Sequence, residues 1–128
     1  MIRIGLVIDT WTWVEYYETN NPEITAYIDG DENLYVSSIT LTEILRSLIP
    51  KVGEDEADEC VEDILYRSLP VPVSSEIAIL AGKFKYKGFK GGTADAIILA
   101  TAHIGNHKIV TGDLHFKDLP NVLFIKSH

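Results

Sequence analysis

The sequence holds one cysteine, Cys60, and only 11 basic residues against 19 acidic ones. One cysteine excludes an internal disulfide, a zinc ribbon and a CxxC redox pair. No apolar run approaches the roughly 20 residues that a membrane-spanning helix needs, and the opening residues MIRIGLVIDT do not follow the pattern of a secretory signal peptide. The net charge of −8 argues against broad nucleic-acid binding through a basic face. We therefore expect a cytoplasmic protein with no membrane partner.

What is present is the composition of an ordinary globular protein. The chain has 128 residues, 46% of them hydrophobic and 23% charged, which suits one domain around one core. We expect residues 1–128 to form that single domain. Short apolar runs alternate with segments of helical periodicity along the whole length, and this alternation predicts an α/β sandwich around a mostly parallel sheet.

Five short apolar runs are the strand candidates, and helical segments lie between them. The strand candidates are Ile2–Ile8, Asn33–Ser37, Leu69–Val73, Lys108–Thr111 and Val122–Ile125. Helices are predicted over Thr10–Glu18, from Asn21 toward Gly30, from Ser38 or Thr40 to a stop between Pro50 and Gly53, through the pattern Ala57–Leu65, from Ser74 or Ser75 toward Gly88, and over Ala94–Ile104. Two prolines in the third strand candidate favour an edge position or an irregular segment there.

Two carboxylates stand where ligands gather in an open parallel sheet, at the carboxyl ends of strands. Asp9 directly follows the first strand, and Asp113 lies two residues beyond Thr111 at the end of the fourth. Each also has a purely structural interpretation, because Asp favours turns and helix caps. Asp118 is a further acid nearby, which we assign to loop chemistry.

Two more carboxylates lie on predicted helices. Asp95 is in the first turn of a nearly apolar helix, where an unpaired charge costs on the order of several kcal/mol; its structural alternative is an interaction with the helix N-terminus below a Thr93 cap. Glu43 points away from the apolar stripe of its own helix. Its structural alternative is a capping box, in which the carboxylate accepts a hydrogen bond from the Thr40 amide. The sequence leaves both alternatives open.

Together the four carboxylates indicate a bound cation. Two unit charges 4 Å apart interact by about 4 kcal/mol at an effective dielectric of 20, so crowded carboxylates need an ion between them. Hard oxygen ligands, with no cysteine or HxxxH pair nearby, favour Mg²⁺ or Mn²⁺ over zinc. Such ions orient and acidify water, and they stabilise the charge that builds on a phosphate under attack.

The chain resembles the PIN-domain family of metal-dependent ribonucleases, particularly the small VapC-type toxins and their archaeal relatives. The resemblance covers the whole chain and rests on four ordered landmarks, VIDTWTWVEYY, SSITLTEILR, TADAIILATA and VTGDLHF. It implies a PIN-like three-layer sandwich, with a central sheet of about five strands flanked by helices. It also implies a homodimer and a separate antitoxin protein that blocks the cleft.

The resemblance further implies roles for individual residues. An acidic quartet would hold one or two Mg²⁺ or Mn²⁺ ions for hydrolysis of RNA, and it consists of Asp9, Glu43, Asp95 and Asp113. Asp9 and Asp95 would be direct ligands, Asp113 a direct or water-mediated ligand, and Glu43 a ligand or the residue that positions the attacking water. Thr10 and Thr111 would support the site by hydrogen bonding.

Two positions near the landmarks need separate interpretations. Trp11 departs from the family pattern, in which the residue after Asp-Thr is often small or polar, and we expect it in the core or at a dimer interface. His115 matches a recurrent family feature but has no identifiable general-base partner, so we interpret it as structural.

RNA binding by an acidic chain needs local cations. The segment GKFKYKGFKGG leads into the Asp95 helix, and its Lys83, Lys87 and Lys90 follow helical spacing while aromatic residues interleave. These lysines could contact phosphates, and the aromatic rings could stack on bases. The alternative is a solvated helix end whose lysines lie near a negative dipole terminus. Arg46, one turn from Glu43, is a further phosphate candidate.

Two other functions compete with the nuclease. One is a catalytically silent PIN fold that only binds a partner, which the intact quartet disfavours. The other is a receiver-like domain that binds Mg²⁺ and accepts a phosphoryl group on Asp. That class needs an acidic pair after the first strand and an acceptor Asp after the middle one, whereas Thr10 follows Asp9 and NLYVSS offers no acceptor.

Overall fold

The computed structural model describes residues 4–126 and contains one five-stranded sheet in the order β3-β2-β1-β4-β5, with all four strand pairings parallel. The strands are β1 Leu6–Ile8, β2 Leu34–Ser37, β3 Leu69–Val71, β4 Lys108–Thr111 and β5 Val122–Phe124. The helices are α1 Thr10–Glu18, α2 Pro22–Ile28, α3 Ser38–Val52, α4 Glu54–Arg67, α5 Ser75–Tyr86 and α6 Thr93–Gly105, and a short 3₁₀ turn covers Leu114–Phe116.

The helices form a layer on each face of the sheet. Side chains alternate between the faces of a strand, so Leu6 and Ile8 join one core cluster with residues of α1 to α4, whereas Val7 joins another with Ile98 of α6. The central strand β1 is therefore buried on both faces, as its continuous apolar run predicts. The expected three-layer α/β sandwich is confirmed.

Local signals explain where most helices begin. Asn21 caps α2 by accepting a hydrogen bond from the Glu23 amide at 2.9 Å, and Pro22 takes the first helical position. Ser74 caps α5 by accepting from the Ile77 amide. The proline-containing run Leu69–Val71 pairs only with β2 and so forms an edge of the sheet. Proline is tolerated there because an edge strand leaves one row of backbone groups unpaired.

The first strand starts later than predicted, whereas α3 and α5 end close to the expected residues. The first strand begins at Leu6, because Ile4 and Gly5 precede it outside the ladder; residues 2 and 3 of the predicted run lie outside the described residues. Helix α3 continues through Pro50 and ends at Gly53, whose φ of 89° and bond to the Ile49 carbonyl terminate it. Helix α5 ends at Tyr86, short of Gly88. Within residues 4–126 no helix is long and apolar enough to span a membrane.

Candidate metal centre at the carboxyl edge of the sheet

Asp9 is held in place at the junction of β1 and α1. It is 2% exposed and caps α1, with Oδ1 accepting from the Thr12 amide at 2.9 Å and from the Thr12 hydroxyl at 2.7 Å. Its other oxygen accepts from the Thr111 hydroxyl on β4. Burial raises the pKa of Asp9 to about 7, although these hydrogen bonds act against the rise and the charge of Asp95 adds to it. Asp9 is thus a cap, as the structural interpretation expects, and also a buried carboxylate facing another acid.

Asp95 lies in the first turn of α6 and is partly buried. Burial raises the pKa of its carboxyl, and the charges of Asp113 and Glu43 raise it further. The helix begins at Thr93 with Gly92 as N-cap and no side-chain cap bond, so the predicted Thr93 cap is wrong. Since Asp95 also acts on Asp9, the fold brings all four sequence-predicted carboxylates into one electrostatic cluster.

Asp113 follows β4 in a turn that presents it to Asp95. Its amide donates to the Thr111 hydroxyl at 3.0 Å, and its Oδ1 accepts from the His115 amide at 2.9 Å. The Thr111 hydroxyl therefore connects Asp9 and Asp113, because it donates to one side chain and accepts from the backbone of the other. This contact places Thr111 where a supporting residue is predicted.

His115 lies among the carboxylates, and the interpretation of it as structural is not supported. Its Nδ1 is 3.2 Å from Asp113 Oδ1 and 3.7 Å from Asp95 Oδ2, and half of the side chain is exposed. Atoms of these three side chains lie within 4.8 Å of one another, which suits a single ion. The signal in the sequence was the spacing of two residues from Asp113, which a turn after a strand folds back onto the carboxylate.

Glu43 faces the same cluster from α3 rather than capping its own helix. The capping-box alternative fails because Ser37 is the N-cap, so Thr40 lies inside the helix. Glu43 Oε1 accepts from the Thr10 hydroxyl at 2.7 Å, and the Thr10 and Thr40 hydroxyls are 3.2 Å apart. Thr10 thus supports Glu43 as Thr111 supports Asp9. The guanidinium of Arg46, which is 80% exposed, lies 3.7 Å from Glu43 Oε2.

The lysines of the α5 end are only partly arranged as predicted. Lys83, Lys87 and Lys90 are exposed, but α5 ends at Tyr86, so Lys90 lies in the following loop and the three do not share one helical face. Lys87 lines a cavity with His107 at the amino end of β4 rather than the acidic cluster. Lys85, outside the predicted set, donates to the Phe89 and Gly91 carbonyls, which matches the helix-end alternative for that residue.

Trp11 packs directly over the loop that carries Asp113. A Cβ atom added to Gly112 would lie 2.4 Å from atoms of the Trp11 ring, so any larger residue would force the indole or the loop to move. Trp11 also packs partly buried against the main core cluster, in agreement with the expected core role. The departure from the family pattern is therefore accompanied by a close contact with the turn between Thr111 and Asp113.

The donor set fits a hard divalent cation. Asp95 interacts electrostatically with each of the other three carboxylates, and the pKa values of Asp9 and Asp95 are raised by burial and by a neighbouring negative charge. Among the described residues the permanent cation nearby is the exposed Arg46, which pairs with Glu43, and the hydrogen bonds described for the Asp9 carboxylate come from neutral groups of Thr12 and Thr111. Carboxylate oxygens in such a cluster are the ligands that Mg²⁺ and Mn²⁺ prefer.

Fold and site together define a three-layer α/β protein with a carboxylate centre at the carboxyl edge of a parallel sheet. The family model described as PIN domain matches residues 6–122, which include all four carboxylates. The chain belongs to the PIN-domain family. The comparison with curated proteins finds no match.

Solved structures share this fold. A toxin-antitoxin complex from Klebsiella pneumoniae matches with a TM-score of 0.77 at 21% identity, over 93% of this chain and 96% of that one. DNA-bound VapBC from Salmonella typhimurium gives a TM-score of 0.74 at 20% identity, covering 96% and 98%. VapC20 of Mycobacterium tuberculosis, a sarcin-ricin loop cleaving toxin, gives 0.68 at 14% identity, covering 81% and 85%. At these identities the likeness establishes a common fold.

Proposed function

We propose that this PIN-domain protein is a metal-dependent ribonuclease and the toxin of a toxin-antitoxin pair acting in the cytoplasm. The observation that carries the proposal is a set of four carboxylates linked electrostatically through Asp95, in which the pKa values of Asp9 and Asp95 are raised by burial and by neighbouring negative charge. A protein gains no stability from such an arrangement alone. A bound cation would offset the repulsion between the carboxylates and so explain why they lie together.

In this proposal the three aspartates of the quartet bind the cation, and Glu43 acts on the attacking water. Asp9 and Asp95 would hold one or two Mg²⁺ or Mn²⁺ ions directly, and Asp113 would ligate directly or through water. When bound, such an ion acidifies water and stabilises negative charge on a phosphate. Glu43 orients the attacking water and accepts its proton, since its second oxygen Oε2 is the one not engaged by the Thr10 hydroxyl.

Hydrogen bonds keep these carboxylates in position before substrate arrives. The Thr111 and Thr12 hydroxyls fix both oxygens of Asp9, and the Thr10 hydroxyl fixes Glu43. Such preorganisation matters because a displacement of about 1 Å can cost on the order of 10²-fold in rate. Arg46 and the exposed Lys83, Lys87 and Lys90 supply contacts to RNA phosphates.

The proposed protein partners are an antitoxin and a second copy of this chain. Two of the matching structures are complexes described as toxin-antitoxin or VapBC assemblies, and they support a cognate antitoxin for this chain; the homodimer is proposed from the family resemblance alone. An antitoxin that covers the carboxylates would need to place a basic group there, because the cluster has excess negative charge.

The test is cleavage of a mixed-sequence RNA pool in Mn²⁺ with the fragment ends mapped. Wild type should cleave, and chelator or Asp95→Asn should abolish cleavage while circular dichroism shows an unchanged fold. Glu43→Gln should lower the rate by roughly 10²-fold or more, as expected for loss of a general base. The matched control is Asp118→Asn, an exposed acid in a left-handed turn (φ 68°) that asparagine also tolerates.

Two results would contradict the proposal. Cleavage that persists in chelator or in Asp95→Asn would separate the activity from the carboxylate centre. Absence of cleavage in the wild type, across the whole pool, would favour a catalytically silent PIN fold that only binds a partner.

A further inference from the structure

We infer that His115 is a metal ligand alongside Asp95 and Asp113, and that its imidazole shifts the preference of the centre from Mg²⁺ toward divalent transition-metal ions, of which Mn²⁺ is the one to be tested. The inference rests on the metal centre of the proposed function and adds a ligand and an ion preference to it. It makes the centre a mixed nitrogen-oxygen site rather than an all-carboxylate one.

The distances fit ligands of one ion. Donor atoms about 2.1 Å from a common metal lie roughly 3.0 Å apart at right angles and roughly 3.4 Å apart in a tetrahedron. The His115 Nδ1 atom is 3.2 Å from Asp113 Oδ1 and 3.7 Å from Asp95 Oδ2. All three donor atoms lie within 4.8 Å of one another. The two distances from His115 are therefore within a few tenths of an ångström of those expected between ligands of one ion.

The backbone directs the imidazole toward the carboxylates. The Asp113 side chain accepts from the His115 amide at 2.9 Å, which closes a tight turn after β4. Half of the imidazole is exposed, and the polar contacts described for it are with Asp95 and Asp113. Core packing therefore does not account for its position, and the two acids do.

The other described histidines are engaged elsewhere. His107 is buried, and its Nδ1 accepts from the Gly5 amide at 3.0 Å. His103, exposed near the end of α6, sets its ring edge against Phe84 at 5.8 Å between centroids. Within residues 4–126, Asp95, Asp113 and His115 form the one group of three or more metal-ligating side chains whose atoms converge.

The nitrogen donor determines the choice of ion. Mg²⁺ strongly prefers oxygen ligands and retains its waters, whereas imidazole is a good ligand for first-row transition ions. Two carboxylates and one imidazole therefore favour Mn²⁺ over Mg²⁺ more than carboxylates alone would. A purely electrostatic role, in which the imidazole only pairs with the acids, gives no such preference.

The decisive measurement is pulsed electron paramagnetic resonance of the Mn²⁺-loaded full chain. Coordination by His115 should give a ¹⁴N coupling to the Mn²⁺ electron spin, and His115→Ala should remove that coupling. The control variant His103→Ala should keep it. Asp95→Asn should abolish specific Mn²⁺ binding, which shows that the signal comes from this centre.

Titrations supply the ion preference. His115→Ala should weaken Mn²⁺ binding by roughly 10-fold or more, a loss typical of removing even an outer-shell partner, and should change Mg²⁺ binding by less than about 3-fold. Mn²⁺ binding that depends on Asp95 but shows no ¹⁴N coupling would overturn the His115 assignment and leave the nuclease proposal intact. No Asp95-dependent binding of either ion would overturn both.

Discussion

The histidines at the two ends of β4 lie in opposite environments. His107, just before the strand, is 4% exposed, stacks on Tyr35 with 4.1 Å between centroids, and accepts a hydrogen bond from the Gly5 amide. Burial lowers the pKa of His107, so the ring is neutral near pH 7. His115, beyond the other end, is half exposed and lies against two carboxylates.

The surroundings of the two histidines differ in the same way. The amino end borders a mostly apolar cavity of about 460 Å³, lined by residues such as Phe84, Leu99 and Ile109. The carboxyl end collects carboxylates whose pKa values are raised. The stacked and hydrogen-bonded ring of His107 stabilises the amino end, whereas the carboxylates with raised pKa values lower the stability of the metal-free chain at the carboxyl end. Functional sites commonly lower the stability of the protein that carries them.

The largest effect expected from the difference between the two ends is the pH dependence of the stability of the metal-free protein. Burial raises the pKa of Asp9 from its ordinary value of 3.8 to about 7 in the folded chain, a difference that corresponds to at most about 4 kcal/mol. Between about pH 4 and pH 7 the folded state holds a proton that the unfolded state releases. Stability contributed by this group is therefore complete below pH 4 and is lost as the pH rises to 7.

Asp9→Asn should remove most of that dependence and leave the chelated protein more stable than wild type at pH 8. Its amide oxygen can still accept from Thr12, and the Thr111 hydroxyl can accept from its NH₂ group. Urea unfolding at pH 5 and pH 8 in chelator measures the effect, with Asp118→Asn as control. Equal pH slopes in wild type and Asp9→Asn would show that Asp9 is not the costly group.

The second test acts at the amino end. His107→Ala should lower the free energy of unfolding by about 3 kcal/mol, because it leaves a cavity beside Tyr35 and an unpaired buried amide at Gly5. Mn²⁺ affinity of the folded protein should stay unchanged. The exposed His103→Ala is the control, with an expected change within about 0.5 kcal/mol. A loss of Mn²⁺ affinity in His107→Ala would mean that the two ends are coupled.

The third test separates packing from charge at the carboxyl end. Gly112→Ala places a methyl group 2.4 Å from the Trp11 ring, and overpacking of this kind costs roughly 1–3 kcal/mol. The displaced loop should also weaken Mn²⁺ binding, since it carries Asp113.

Trp11→Leu combined with Gly112→Ala should recover part of both losses, because a smaller side chain makes room for the methyl group. Urea unfolding and Mn²⁺ titration of the two single variants and the double variant complete the cycle. Purely additive losses would show that Trp11 does not hold this loop.

The sequence predicted which carboxylates lie at the carboxyl end of the sheet better than it predicted the contacts that each of them makes. Asp9 and Asp113 could be placed because parallel strands end at one edge, and that rule needs only the strand assignments. Asp95 could be identified because an unpaired charge in a nearly apolar helix is energetically costly and therefore indicates a partner. Asp9 and Asp113 lie close together because β1 and β4 are neighbouring strands of the sheet.

The details that were missed depend on contacts between distant segments. Whether Glu43 caps its helix was decided by Ser37 beginning α3 early and by Thr10 lying opposite on α1. For His115 the spacing from Asp113 was visible in the sequence, but its second partner, Asp95, is 20 residues away along the chain and only the fold brings it near. Lys85 was indistinguishable from its neighbours until the loop after α5 brought two carbonyls to it.

The smallest expected effect concerns which end of the molecule contacts RNA. Arg46 lies beside Glu43 at the carboxyl end, whereas Lys87 lines the cavity near His107. Each cation that contacts a phosphate of single-stranded RNA contributes about 0.7 to the slope of log affinity against log salt. We expect Arg46→Gln to lower the slope by about 0.7, and Lys83→Gln, Lys87→Gln and Lys90→Gln combined to lower it by about 2.

Fluorescence anisotropy of a labelled single-stranded RNA, measured in chelator over a range of salt, gives these slopes without cleavage. Lys108→Gln, an exposed lysine at the amino end of β4, should leave the slope unchanged. If only Arg46→Gln changes the slope, RNA binds at the carboxyl end alone and the lysines serve the end of α5. If Lys108→Gln changes it as much as Arg46→Gln, the contacts are unspecific and the two ends do not differ in RNA binding.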